Sequence, residues 1–299
     1  MKAYVTPRYN PSLHRYTIIL AVCTLFLVVA GASVTSNQAG LSVPDWPLSY
    51  GQVMPQMTGG VLFEHGHRLV ATFVGMLTIG LVVFLTKSDP RRWMRNLGWI
   101  SLGAVILQGL LGGLTVLLLL PPAVSVSHAC LAQLFFSTTV AIAIFTSKSW
   151  REGPQIVEDY GVPSLRSLSL ILPVLLLLQV ALGAAFRHGA MTVLAHVVGA
   201  MIVAPAVLIV CAFVLHQFPE HHVLRQTASL LLGITVAQVV LGIGAYFART
   251  DAANRPAVMV AVTVAHVATG ALTLASSIAL AIQVRRNVRE RVREAVPAL

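Results

Sequence analysis

Four histidines and one glutamate stand out by type and spacing. His67, His128, His196 and His266 each lie inside a long apolar stretch, where an ionisable side chain is costly and is a functional candidate by default. Neutral imidazole is the commonest nitrogen ligand of transition metals. Two imidazoles from two helices can clamp a haem iron from opposite faces, and the core of a four-helix bundle is a usual place for such a site. Pairing His67 with His128 and His196 with His266 predicts two haem sites, one in each half of the chain. A single four-histidine metal site would need all four rings to converge, which the two-fold pattern disfavours. Glu64 precedes His67 by three positions and so shares its face on a helix. A carboxylate there could do proton or electrophile chemistry, or could serve only as a helix N-terminal charge favoured by the dipole. No glutamate precedes His196 at the same spacing, so the first half reads as reactive and the second as supportive.

The elements that hold these residues must be membrane helices. Of 299 residues, 57% are hydrophobic and 10% charged, well below the roughly 25% charged of soluble domains. A soluble fold and intrinsic disorder are both excluded. Eight continuously apolar stretches, near 16–35, 64–86, 97–120, 124–146, 168–186, 190–215, 226–248 and 257–283, match the roughly 20 residues a bilayer core requires. Their lack of alternation argues for helices over a β-barrel. The first stretch follows a short basic segment but exceeds a signal-peptide core, and it reads as a retained span.

Charge sets the expected orientation. Arg68, Arg187, Arg249 and Arg255 fall on one side. The remaining sixteen of the 20 Lys and Arg, among them Lys2, Arg8, Arg291 and Arg293, fall on the other. By the positive-inside rule both termini are cytoplasmic. The net charge of +10 is then a topology signal, not the mark of a nucleic-acid partner; the partner is the lipid bilayer. The four outer arginines are candidates for carboxylate groups such as haem propionates. His65 and His188 read as solvated span edges, and His14, His216, His221 and His222 as surface residues on the basic side. Cys23, Cys130 and Cys211 read as small apolar residues within helices.

The chain repeats itself. Gln108-Gly-Leu-Leu-Gly112 recurs as Gln238-Val-Val-Leu-Gly242, and Gln179-Val-Ala-Leu-Gly183 has the same form. Ala195-His196-Val197 recurs as Ala265-His266-Val267. His67 and His196 are 129 positions apart, His128 and His266 138. The fold class is therefore all-α, with eight transmembrane helices in two pseudo-symmetric four-helix bundles, residues 1–150 and 151–299. The glycines read as close-packing positions and the glutamines as interhelical hydrogen-bonders. The outer segment 36–63 is rich in Pro and Gly and carries no Lys or Arg. It reads as a structured cap or as a loop anchored by Trp46 at the headgroups.

These residues resemble the haem A synthase family. The resemblance lies in Gly40-Leu-Ser-Val-Pro-Asp-Trp-Pro47, Tyr50-Gly51, Glu64-His65-Gly66-His67-Arg68 and the later His128, His196 and His266. It covers nearly the whole chain. It implies a plasma-membrane enzyme that oxidises the C8 methyl of haem O to a formyl group by successive hydroxylations, supplying haem A to cytochrome oxidase. It further implies that Glu64 is the essential carboxylate, that His67 and His128 serve substrate haem O, and that His196 and His266 ligate a haem b cofactor. Haem O synthase and an unidentified electron acceptor would be its partners. Some members carry paired cysteines in outer loops; here that loop has Ser42 and Tyr50 and no cysteine, so a thiol–disulfide step is not expected.

Two other functions fit the residues without the resemblance. A bis-histidine electron-transfer cytochrome b usually places haems at opposite sides of the membrane, whereas these histidines share one depth. A haem transporter usually has paired broken helices at the midplane, whereas Pro173 and Pro205 are single cases.

Overall fold

A computed structural model describes residues 9–290; Lys2, Arg8, Arg291 and Arg293 lie outside the described residues. The eight long helices are α1 (Pro11–Ser36), α2 (Gly59–Ser88), α3 (Arg92–Leu117), α4 (Pro122–Thr146), α6 (Leu165–Arg187), α7 (Val193–Gln217), α8 (His222–Thr250) and α9 (Pro256–Asn287). Each is long and apolar enough to cross a membrane. The short α5 (Lys148–Arg151) and β1 (Val157–Asp159) lie in the link between the fourth and fifth spans. β1 pairs in parallel with β2 (Val288–Glu290), Val157 opposite Val288. The link is thereby tied to the end of the last span.

Most of the helices run beyond the apolar stretches at one end or both, and side-chain caps start α1, α6 and α8. Asn10 Oδ1 accepts from Leu13 N at 3.0 Å ahead of Pro11, the usual N-terminal arrangement of a cap followed by proline. Ser164 caps α6. α3 stops at Leu117 although the sequence remains apolar to Leu120. Leu119 and Leu120 turn at positive φ, +58° and +61°, and Leu120 N donates to Thr115 O at 2.7 Å. Pro121 and Pro122 then start α4. Both α6 and α7 continue through Pro173 and Pro205.

The neighbour pattern repeats. In the first four spans α1 packs on α2 and α4, and α3 on α2 and α4; in the second four, α6 packs on α7 and α9, and α8 on α7 and α9. Between the halves, α1 meets α9, α4 meets α6, and α4 meets α9. A pseudo-two-fold relation is compatible with that pattern. Each half has its own buried core, around Leu20, Leu81 and Ile142 in the first and Val207, Leu231 and Leu280 in the second. A third cluster, Val28, Phe136, Ala271 and Ala275, lies where the halves join. Side chains such as Phe26, Phe73, Ile100, Met201 and Ile209 are exposed on the helix exteriors, as lipid contact requires.

Two of the solvated or surface histidines expected from sequence are buried. His65 is 5% exposed and hydrogen-bonds Ser49 Oγ at 2.8 Å. His221 is 6% exposed, caps α8 by accepting from Leu224 N, and reaches Gln155 O at 3.0 Å. His14 is half-buried and contacts Thr146 Oγ1 at 3.2 Å. His216 and His222 are exposed. Both buried rings contact segments outside the spans, which hydropathy does not report.

Candidate functional site

His67, His128, His196 and His266 all lie within the first eleven residues of α2, α4, α7 and α9. All four of these helices start at the same end of the bundle, so the histidines form one layer near that end. Each ring rests against a glycine of the preceding span. A Cβ built on Gly31 of α1 would be 3.0 Å from His67 Cε1. The equivalent distances are 3.2 Å from Gly112 of α3 to His128, 2.9 Å from Gly183 of α6 to His196, and 2.9 Å from Gly242 of α8 to His266. Any side chain at these glycines would displace an imidazole. The glycines read from the repeat as close-packing positions therefore serve the histidine rings. Gly31 was missed by sequence reasoning, because Leu27 stands four residues before it where the other three units have glutamine.

In the second half the rings of His196 and His266 are neighbours in an edge-on arrangement, with centroids 6.2 Å apart and planes at 86°. Imidazole–metal bonds are about 2 Å long, so two imidazoles on opposite sides of one metal ion have centroids about 6 Å apart. The separation of the His196 and His266 centroids matches that spacing. In the first half, His67 Nδ1 and His128 Nδ1 are buried and have no hydrogen-bond partner among the described residues. Unpartnered buried nitrogens are uncommon and leave a lone pair or a proton available to a ligand.

Residues 37–58 form a folded cap against the start of α2 and the end of α3. Asp45 accepts from Tyr50 N at 2.7 Å and Gly51 N at 2.8 Å. The Gly51 amide hydrogen bond leads the interactions that hold the Asp45 carboxyl below its usual range; the Tyr50 amide and the Arg68 charge add to it. The Tyr50 hydroxyl donates to Ser42 O at 2.5 Å. Trp46 packs its ring against Gly113 of α3, where a Cβ would be 2.6 Å from Trp46 Cδ2. That contact, with 37% of the residue exposed, makes Trp46 part of the folded cap. The cap is pinned by α2. Glu64, 4% exposed, accepts from Val43 N at 2.8 Å and from Arg68 Nη2 at 2.7 Å. Arg68 Nη1 donates to Asp45 O and Leu48 O, both at 2.8 Å. Glu64 is therefore a fixed carboxylate beneath the cap, one helical turn from His67.

The four outer arginines separate into different environments. Arg68 spends both terminal nitrogens on Glu64 and the cap. Arg187 lies in the last turn of α6, where Nη2 donates to Ala32 O and Ser36 Oγ of α1, each at 2.7 Å. Its Nη1 is buried with no partner among the described residues. Arg249, in the last turn of α8, lies over the Phe186 ring at 4.9 Å. Arg255 sits in a largely exposed pair with Asp251 at 3.6 Å. Arg187 and Arg249 are thus helix-terminal residues, not loop residues, and a basic group there is favoured by the helix dipole. Cys23, Cys130 and Cys211 are free thiols.

The chain matches the cytochrome oxidase assembly protein family (COX15-CtaA) over residues 14–61 and 57–288. It is similar to a protein named heme A synthase from Symbiobacterium thermophilum, 30% identical over 169 residues, 55% of each chain. A heme A synthase from Shouchella clausii is 32% identical over 138 residues, 44% of this chain and 45% of that one. One from Wolbachia pipientis is 29% identical over 143 residues, 44% of this chain and 39% of that one. The chain spans about half the length of the curated relatives it matches.

Proposed function

Because the chain belongs to the cytochrome oxidase assembly protein family, we propose that it is a multi-pass haem A synthase of the cell membrane, oxidising the C8 methyl of haem O to a formyl group. The observation that carries this reading is the pairing of two unlike sites in one layer: a His196–His266 pair with ring centroids 6.2 Å apart, and a His67–His128 pair with the buried carboxylate of Glu64 on the same helix as His67. The cap lies on the outer face and both termini are cytoplasmic, as the lysine and arginine distribution favours.

In this reading His196 and His266 ligate haem b, which when bound supplies one-electron redox chemistry. His67 and His128 bind substrate haem O, with its reactive methyl towards Glu64. Arg187, with its buried Nη1, and Arg249 are the propionate partners. Arg68 instead orients Glu64 and closes the cap, and Arg255 pairs with Asp251. Two successive two-electron oxidations of the methyl, each adding the oxygen of one water and releasing two protons, would give a hydrated aldehyde, which loses water; the four electrons would pass to an acceptor outside the chain. The Glu64 carboxylate, fixed by the Val43 amide and Arg68, stabilises positive character developing on the methyl carbon. A preorganised charge of this kind needs no reorganisation at the moment of reaction.

Glu64→Gln keeps an acceptor for Val43 N but removes the charge. The expected result is a protein that retains haem and forms haem A about 100–1,000-fold more slowly, read by chromatography of extracted haems after expression with haem O synthase. Haem A formation at the parental rate would overturn the role of Glu64. Failure of the parent chain to form any haem A would overturn the activity itself.

A further inference from the structure

Four imidazoles rest on four glycines, but only three of these seats carry a glutamine. Gln108 Nε2 donates to His128 O at 3.0 Å and lies 3.3 Å from the ring Nε2. Gln179 Nε2 donates to His196 O at 2.8 Å and lies 3.1 Å from the ring Nδ1. Gln238 Nε2 lies 3.5 Å from His266 Nε2, and His266 Nδ1 is 3.2 Å from Gln238 O. In each case the glutamine is four residues before the glycine that seats the ring. In each case its Oε1 is buried without a partner among the described residues. In the second half two further glycines, Gly199 and Gly270, give the Gln179 and Gln238 carboxamides their space.

The first unit lacks this device. Four residues before Gly31 stands Leu27, which can neither donate nor accept; Nδ1 of His67 and of His128 both have no partner among the described residues, but His128 keeps Gln108 at its Nε2. An imidazole that binds a metal through one nitrogen carries a proton on the other, and that proton needs an acceptor. The acceptor fixes the tautomer and the ring orientation and strengthens the ligand. A carboxamide holds both a donor and an acceptor: Nε2 of Gln108 and Gln179 grips the His128 and His196 carbonyls, the backbone carbonyl of Gln238 faces His266 Nδ1, and each Oε1, buried without a partner among the described residues, is an acceptor left for a ring proton.

We propose that Gln108, Gln179 and Gln238 are positioning residues that hold His128, His196 and His266 as fixed ligands, and that His67, which lacks one, is the ligand that detaches to let a haem enter and leave. The inference rests on the reading of two bis-histidine haem sites. A cofactor site needs two held ligands. A site that takes up substrate and releases product needs one that lets go, and this one lies beside Glu64.

The test uses the full purified chain, expressed with haem O synthase, and follows transfer of haem to excess apomyoglobin, with haem b and haem O told apart by chromatography. Gln179→Leu should release haem b about 10–100-fold faster and shift its midpoint potential. Leu27 shows that the seat accepts leucine. Gln179→Glu keeps an acceptor but loses the bond from Nε2 to His196 O, and should release haem b at a rate between those of the parent and Gln179→Leu. Leu27→Gln should slow haem O release by a similar factor and leave haem b release unchanged. A Gln179→Leu protein with parental release rate and potential would overturn the positioning role, and unchanged haem O release in Leu27→Gln would overturn the role of His67. Unchanged haem content in His196→Ala and His266→Ala would instead overturn the underlying haem sites, independently of the glutamines.

Discussion

At the scale of single residues, the layer depends on atoms that are absent as much as on those present. Gly183 has no function of its own, yet a Cβ there would lie 2.9 Å from His196 Cε1. Gly183→Ala favours the helix itself but forces the ring from its seat. The expected outcome is a normally helical protein with at least a severalfold lower ratio of haem b to protein, measured by pyridine haemochrome together with circular dichroism. The four histidines and Glu64 were legible in the sequence because polar groups in apolar runs have no ordinary reason to be there. The glutamine–glycine pairs were legible as a repeat, but not as seats, because nothing in the spacing says which ring faces which glycine. Gly31 was hidden because its unit has lost the glutamine that marks the others. The burial of His65 was also hidden, since it depends on Ser49 folding back from the cap.

At the scale of elements, the connections do more than hydropathy indicates. The turn between α2 and α3 is organised by Asp89, which is 2% exposed. It accepts from Arg91 Nη2 at 2.7 Å and from Arg151 Nη2 at 3.0 Å, and so joins α2, α3 and α5. Burial alone would raise its carboxyl above the ordinary value of 3.8, but the hydrogen bonds from Arg91 and the charges of Arg91 and Arg151 outweigh burial and hold it below. A carboxyl whose pKa is lowered on folding adds stability that is present above its unfolded pKa and lost as pH falls through its folded one. Thermal stability should therefore fall below about pH 4 in the parent, and this part of the fall should vanish in Asp89→Asn. At neutral pH that variant leaves two buried arginine groups without their carboxylate and should lose about 3 kcal/mol, measured by detergent-solubilised thermal or denaturant unfolding. Span number and approximate position could be read from composition, because a bilayer imposes one length on every helix. Span ends could not, because caps such as Asn10, and the Leu119–Leu120 turn, are set by local backbone hydrogen bonds.

At the scale of the whole molecule, two similar halves are joined so that both histidine pairs lie in one layer. The joint is made by α1, α4, α6 and α9, with Val28, Phe136, Ala271 and Ala275 at its centre. Arg187 of α6 crosses it to Ala32 and Ser36 of α1, and the β1–β2 pair ties the link to the end of α9. The repeat pointed to two bundles, but it carried no information on which helices meet, since a joint of small and medium apolar residues looks like any other stretch of span. Ala271 is fully buried, and its small side chain lets α9 approach α1 and α4 closely. Ala271→Leu adds volume at a fully buried position of the joint, at a typical cost of about 1–3 kcal/mol. If the halves act as one body, that cost reaches both histidine pairs, although residue 271 belongs to neither. The expected result is a lower unfolding temperature and a coincident loss of haem b and haem O, followed by optical spectra during a thermal ramp. Loss of haem b alone, with haem O retained to the parental temperature, would show instead that the joint merely holds together two halves of independent stability.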